Sequence, residues 1–253
     1  GYGPKLNRSI IPFAASLASS AASDVAGAEW VKGFAGPHIY IDSSKAVSGD
    51  GLSADTAVRT FSEAISLAAS FPSSAVNFDV AAGTYSDFYV DHVVNVSRIA
   101  INLNGNITIN GNFNVHDCQS FVVVDSSYSI TINGNIVISN SFAFFGCNLS
   151  VTCSTSGLYS AFQITSGSCV NFAGTSLSIT SIGSPIVVES SSTFLCYATV
   201  TLTASASAAT ALVVQTGSFG FFSGYVELLN NSAFFDNGVV TCYSSISMFA
   251  GGI

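Results

Sequence analysis

Four stretches of this chain repeat one plan, a turn of Ser, Thr, Asn or Gly that leads into a short apolar run. They are Ser166-Gly-Ser-Cys-Val-Asn-Phe172, Ser191-Ser-Thr-Phe-Leu-Cys-Tyr197, Thr216-Gly-Ser-Phe-Gly-Phe-Phe222 and Asn237-Gly-Val-Val-Thr-Cys-Tyr243. Their starts lie 25, 25 and 21 residues apart, the spacing of one winding of a solenoid. Earlier runs such as Ile99-Ala-Ile-Asn-Leu103, Ile107-Thr-Ile109, Phe113-Asn-Val115, Ile130-Thr-Ile132, Ile136-Val-Ile138 and Leu149-Ser-Val151, and Val200-Thr-Leu202 later on, alternate with period two between Asn-Gly or Ser/Thr/Gly turns. One winding of this size cannot bury its own inward side chains. Windings must therefore stack, each strand pairing with the one below at ~4.8 Å. The stretch beyond residue 90 supplies roughly seven windings, a column about 30 Å tall. Recurrent Phe, Cys, Val and Ile would form its inward columns, and Ser, Thr and Asn its turns and outer faces.

Composition narrows what such a column can do. Only 8% of residues are charged, and all six basic residues (Lys5, Arg8, Lys32, Lys45, Arg59, Arg98) fall within the first 98 positions. A net charge of −8 repels phosphate backbones, which excludes nucleic acid as a ligand. No stretch of 18 apolar residues occurs, which excludes a membrane-spanning helix, and the strand-like runs are mostly shorter than the roughly 9 to 11 residues of a membrane barrel strand. Membrane insertion is thus not expected. Six cysteines (Cys118, Cys147, Cys153, Cys169, Cys196, Cys242) show neither C-x-x-C nor zinc spacing and read as reduced, buried small apolar groups, as in a reducing cytosol. The chain opens on Gly1 without a signal-peptide pattern and reads as a piece processed or excised from something longer.

Residues 1–37 form an Ala/Ser-rich, low-complexity appendage. It reads either as a flexible linker or as a neck in which three copies associate through Leu17, Val25 and Trp30. Residues 38–90 differ: a strand at Ile39-Tyr-Ile-Asp42, a polar loop from Ser43 to Asp55, and a helix. The Thr60-Phe-Ser-Glu63 capping box starts that helix, Phe61, Ala64, Ile65, Ala68 and Ala69 recur along it, and Pro72 ends it. A strand at Val76-Asn-Phe-Asp-Val80 and a turn at Ala82-Gly83-Thr84-Tyr85 follow.

That order, and in particular Gly49-Asp-Gly-Leu-Ser-Ala-Asp-Thr-Ala-Val-Arg-Thr-Phe61 followed by helix, strand and Gly83-Thr-Tyr85, resembles the capping segment of pectate-lyase-like β-helices, including those of bacteriophage tail fibres and tailspikes. The motif spans about 50 residues and is specific for fold rather than activity. The resemblance implies an all-β, right-handed, single-stranded parallel β-helix over 91–253, with residues 38–90 as its lead-in and cap, residues 1–37 as a helical or extended neck, and a trimeric assembly. It implies a virion tail protein assembled in the host cytoplasm, whose partners are two further copies, other tail proteins and a bacterial cell-surface glycan. A tailspike glycosidase and a bacterial surface adhesin are the alternatives.

The residues weigh against most chemistry. Lyases of this fold use a basic residue and often Asp-bound calcium, and beyond Arg98 the chain has neither Lys or Arg nor an Asp cluster. No metal ligand set and no cofactor are expected. Glycoside hydrolysis needs two carboxyls roughly 5 to 9.5 Å apart, and the coil region offers Asp117, Asp125, Glu189, Glu227 and Asp236. Aligning the windings puts Glu189, Gln215 and Asp236 at related positions, so Glu189 and Asp236 are the catalytic candidates at ~9.6 Å, two rungs apart. An exposed polar ladder explains them equally well. His38, His92 and His116 are dispersed and define no triad, His116-Asp117 reads as a turn, and Ser48-Gly49-Asp50-Gly51 lacks the lysine of a phosphate loop. Asn-x-Ser/Thr triplets at Asn95, Asn106, Asn148 and Asn230 follow from turn composition. Sugar rings stack on flat apolar groups, so the tyrosines set among Ser, Asn and Thr are the glycan candidates: Tyr197, Tyr225 and Tyr243 foremost, with Tyr128 and Tyr159 beside them, while most Phe are assigned to the core.

Overall fold

The computed structural model describes residues 36–71, 73, 75–93, 96–124, 127–154, 160–205, 210–229, 233–236, 238–243 and 246–249, with side chains described except at 233–236 and 246–249. The described residues open with strand β1 (His38–Ile41), helix α1 (Phe61–Ala68), β2 (Ala75–Tyr85), β3 (Phe88–Asp91) and β4 (Arg98–Ile109). From there it winds as a parallel β-solenoid, every pairing being parallel and joining strands one winding apart. Three strands make one turn, and six complete turns lie between Arg98 and Asp236. The first 35 residues, where the proposed neck falls, lie outside the described residues, as does Pro72.

Three faces result. The first carries the front halves of β2 and β4, then Ser120–Val123, Phe142–Phe145, Cys169–Phe172, Thr193–Cys196, Phe219–Phe222 and Val239–Cys242. The second takes the rear halves of β2 and β4 and continues through Ser129–Ile132, Asn148–Cys153, Ser176–Ser181, Thr199–Ala204, Val226–Leu229 and Ile246–Phe249. The third runs from β3 through Phe113–His116, Ile136–Ser139, Phe162–Thr165, Ile186–Val188 and Thr210–Val214 to Ala233–Asp236.

The Asn104-Gly105 pair, expected to be a turn, lies inside β4, which rounds the corner between faces with a register shift opposite Ala81–Gly83 of β2. Glycine makes this possible, since a Cβ at Gly105 would stand 2.5 Å from the Cβ of Ala82 on the winding below. The corner between the third and first faces uses left-handed backbone instead. His92 (φ 41°), Asp117 (φ 50°), Asn140 (φ 46°), Ser166 (φ 57°) and Ser190 (φ 55°) follow successive third-face strands, and Asn140 Nδ2 donates to Asp117 Oδ1. Short polar side chains tolerate that conformation best, which explains their recurrence there.

The interior is an aromatic spine. Phe88 stacks on Phe113 at 4.5 Å between centroids, and contacts continue through Phe121, Phe145, Phe162 and Phe194 to Phe222, none more than 6.2 Å from the next, with Phe172 stacked on Phe145 beside them. Each of these rings is buried, as are the Val, Ile and Leu around them. Full burial of such a side chain stabilises by roughly 1.5–3 kcal/mol.

The open N-terminal end is plugged by α1. Its Phe61 ring lies 5.0 Å from both Tyr85 and Phe88 at the foot of the spine. The capping box forms as its spacing predicts: Thr60 Oγ1 accepts from Glu63 N at 3.2 Å, and Glu63 Oε2 accepts from Thr60 N at 3.0 Å. Asp50 accepts from Leu52 N and Thr56 Oγ1 in the preceding loop, where Gly51 (φ 73°) takes a left-handed backbone conformation. No helix among the described residues is long and apolar enough to cross a membrane.

Candidate functional site

Neutral hydrogen-bond ladders occupy the corners. Ser141, Ser168 and Ser192 are buried in register: Cys118 N donates to Ser141 Oγ, Ser141 N to Ser168 Oγ and Ser168 N to Ser192 Oγ, at 3.0, 3.2 and 3.2 Å. At another corner Asn106 Oδ1 accepts from Ser129 N, and Asn148 Oδ1 accepts from Ser176 N. These amides of the Asn-x-Ser/Thr triplets hold one winding to the next. Asn95 and Asn230 lie outside the described residues.

The cysteines carry no disulfide among themselves: all six are free thiols. Cys118, Cys147, Cys153 and Cys196 are buried, and Cys169 and Cys242 half-buried. Burial pushes the Cys118 thiol up to about 11 and that of Cys196 up to about 12, which removes both as nucleophiles near neutrality.

Glu189 sits in a polar ladder on the third face. Its Oε1 accepts from Gln163 Nε2 and its Oε2 accepts from Gln215 Nε2 at 3.0 Å, so the side amides of adjacent windings clasp both carboxylate oxygens. Gln215 is the expected neighbour of Glu189, and Asp236 is not part of the same column. The register pairs Asp236 with Val214, which pairs with Val188, one residue before Glu189. The expected alignment therefore differs from the backbone register by one residue at the last winding. The Asp236 side chain lies outside the described residues, as does Asp125.

Register gathers one group that sequence spacing missed: Asp91, His116 and Ser139 occupy one outward column on consecutive windings. Their side chains are not coupled as a triad. Asp91 Oδ2 accepts from Tyr89 Oη at 3.2 Å, His116 packs against the Tyr89 ring at 5.8 Å, and among the described residues no side-chain hydrogen bond joins His116 to Asp91 or Ser139. Elsewhere His38 pairs with Asp79 at 2.6 Å, and His92 stands at a corner. Among the described residues no three His, Cys, Asp or Glu side chains converge as a metal site requires.

The remaining feature is aromatic and outward. On the first face, near the C-terminal end, the Tyr197 ring lies 5.6 Å from Phe221, and Phe221 lies 5.6 Å from Tyr243. Tyr243 is 78% exposed, while Tyr197 and Phe221 are half-buried. Burial, reinforced by the neighbouring Cys169 and Cys196 sulfurs, holds the Tyr197 phenol above its usual range, so it is a neutral hydroxyl. Two of the three expected tyrosines are thus joined, through a phenylalanine that was not among the candidates. Parity was the signal that could have found it. Phe222 shares the inward column of Phe172 and Cys196, so Phe221 and Phe219 must face out. Tyr225 (39% exposed) precedes the second-face strand Val226–Leu229, and among the described residues no ring contact links it to the ladder. Tyr128 is 41% exposed at an earlier corner, and Tyr159 lies outside the described residues.

The fold defines a parallel β-solenoid closed at its N-terminal end by a helix. No protein-family model, curated protein or solved structure matches the chain.

Proposed function

We propose that this chain is a structural and receptor-binding segment of a bacteriophage tail fibre or tailspike, a rod that holds bacterial surface polysaccharide. The observation that carries the reading is the Tyr197–Phe221–Tyr243 ladder, three aromatic rings at 5.6 Å steps on the outside of the rod. Sugar rings dock on such surfaces by their apolar faces, while hydroxyls and amides nearby bond their OH groups. Here Thr241 and Ser223 supply hydroxyls beside the rings. Holding rather than cutting is favoured by Glu189, whose carboxylate is clasped by Gln163 and Gln215, leaving it poorly placed to donate or accept a proton at a glycosidic oxygen.

The pectate-lyase-like character of the Gly49–Phe61 motif, the stacked parallel windings and the near absence of charge support a tail-fibre attribution. On this reading the working form is a homotrimer within the virion, attached to other tail proteins and assembled in host cytoplasm. The test is binding of the intact protein to a panel of purified capsular and O-antigen polysaccharides, with reducing ends measured in parallel. Retention of at least one polysaccharide, its loss in Phe221→Ala, and no new reducing ends are expected. Failure to bind any member would sink the glycan reading, and steady release of reducing ends would make the chain a glycosidase.

A further inference from the structure

The aromatic ladder is built so that its surroundings limit the charge of what it can hold. Tyr197, Ser223 and Tyr243 stand in one corner column on consecutive windings, since Ser223 N donates to the Cys196 carbonyl and Tyr243 N to the Phe222 carbonyl. Phe221 lies two residues before Ser223. Both tyrosine rings lean towards it, one from the winding below and one from the winding above, each at 5.6 Å. The ring planes are tilted by 53° and 54°, so successive rings are not stacked face to face. The three rings thus frame the exposed Ser223 hydroxyl and climb the rod one winding at a time.

Among the described residues, the polar groups beside these rings are uncharged. Ser223 and Thr241 are hydroxyls, the Tyr197 phenol is held neutral, and burial pushes the neighbouring Cys169 thiol up as well. Cations are remote. Among the described residues the Lys or Arg nearest along the rod is Arg98, whose winding lies five below that of Phe221 by register. Five rungs are about 24 Å, and charges are screened over about 8 Å at physiological ionic strength. Lys45 and Arg59 lie further still, at the plugged end. The described carboxylates of the later windings, Glu189 and Glu227, add only negative charge to a chain whose net charge is −8. An anionic sugar docked on the rings would give up water and gain no cation in exchange, whereas an uncharged sugar loses only hydroxyl hydration that neighbouring hydroxyls replace.

We infer that the ladder selects an uncharged polysaccharide, built of neutral hexoses, deoxyhexoses or N-acetylhexosamines, and rejects chains that carry uronates, sialates or phosphates at the sugars meeting the rings. The inference rests on the glycan reading and narrows it to one ligand class. The bound chain runs along the rod, because the rings rise with the windings, and its sugars lay their apolar faces on Tyr197, Phe221 and Tyr243. With no ion pair in the contact, binding is insensitive to salt.

The test uses the intact protein and the same polysaccharide panel sorted by charge, with affinities measured at about 20 mM and about 500 mM NaCl. Uncharged members are expected to carry the binding, with affinities that change by less than about twofold across that range. Oxidising the primary hydroxyls of a bound polysaccharide to carboxylates should weaken it by about tenfold or more, and methyl esterification of those carboxylates, which removes the charge without restoring the hydroxyl, should recover most of the loss. An acidic polysaccharide whose binding is lost in Phe221→Ala would overturn the inference while leaving the ladder a glycan site. So would an affinity that falls steeply with salt, an oxidised chain held as tightly as its parent, or one that esterification does not rescue. Binding by no member, or binding that Phe221→Ala leaves intact, would instead remove the glycan site itself and this narrowing with it.

Discussion

The chain uses phenylalanine in two ways, and parity alone separates them. Phe145 points inward, and four neighbouring rings, Phe113, Phe121, Phe162 and Phe172, surround it within 6.2 Å. Phe221 points outward and, among the described residues, meets only the rings of Tyr197 and Tyr243. Between the two cases lies a shift of one residue along a strand. What the difference teaches is that a nearly uncharged solenoid can divide one residue type between cohesion and recognition through the period of the strand, with no change in composition.

The sharpest way to break that comparison is Phe145→Ala. The spine is continuous from Phe88 to Phe222, so a cavity at Phe145 removes contacts from windings above and below at once. A loss of about 3–5 kcal/mol is expected. Urea unfolding of the intact chain, with Phe145→Leu as a milder companion, measures it. A loss below about 1 kcal/mol would mean that the spine relaxes around the gap and does not cohere as a packed column.

A smaller effect belongs to the plug. Removing the cap in Thr60→Ala should cost about 1 kcal/mol, because α1 has only eight residues and its Phe61 holds the foot of the spine. The same box makes stability depend on acid. Hydrogen bonding from Ser48 is the largest influence on Glu63, and bonds from Thr60 and the backbone N–H groups of Arg59 and Thr60 add to it, outweighing burial and holding the carboxyl below its ordinary 4.5. A depressed folded value means that the unfolded chain takes up the proton more readily. Glu63 therefore stabilises the fold above about pH 4.5, and that contribution fades as pH falls through its lowered folded value. Melting temperatures at pH 6 and pH 3 should differ less in Glu63→Gln than in the parent protein, and an unchanged difference would remove Glu63 from the acid response.

The stacking of windings was legible because period-two alternation and turn residues both constrain it, and the capping box because Thr60 and Glu63 stand at the required separation. Register was not. Windings range from 19 residues (Ile130 to Leu149) to 28 (Leu149 to Leu177), and the variation falls in corners that alternation does not control. The second repeated block shows the cause. Matching Ser191 to Ser166 aligns the wrong turn residues, because Ser190 and Ser191 (φ 55° and 60°) reproduce the left-handed pair Ser166-Gly167 (φ 57° and 72°). A serine standing where glycine is favoured hides the match, and Cys169 accordingly pairs with Thr193 instead of Phe194. A similar one-residue error placed Asp236 in the column of Glu189.

The smallest expected change in stability comes from Phe221→Ala, and it sharpens the comparison most. Its ring is half-buried between two other outward rings, so truncation should cost no more than about 1 kcal/mol, roughly the worth of an aromatic pair. Polysaccharide binding should nevertheless fall severely, because removing the middle ring leaves Tyr197 and Tyr243 as isolated platforms. Phe221→Tyr should retain both stability and binding, since it keeps the ring and adds a hydroxyl at a solvent-facing edge. Paired unfolding and binding measurements on the two variants separate recognition from packing. If Phe221→Ala costs as much stability as Phe145→Ala, the outward ladder is an extension of the core and parity no longer divides the two roles.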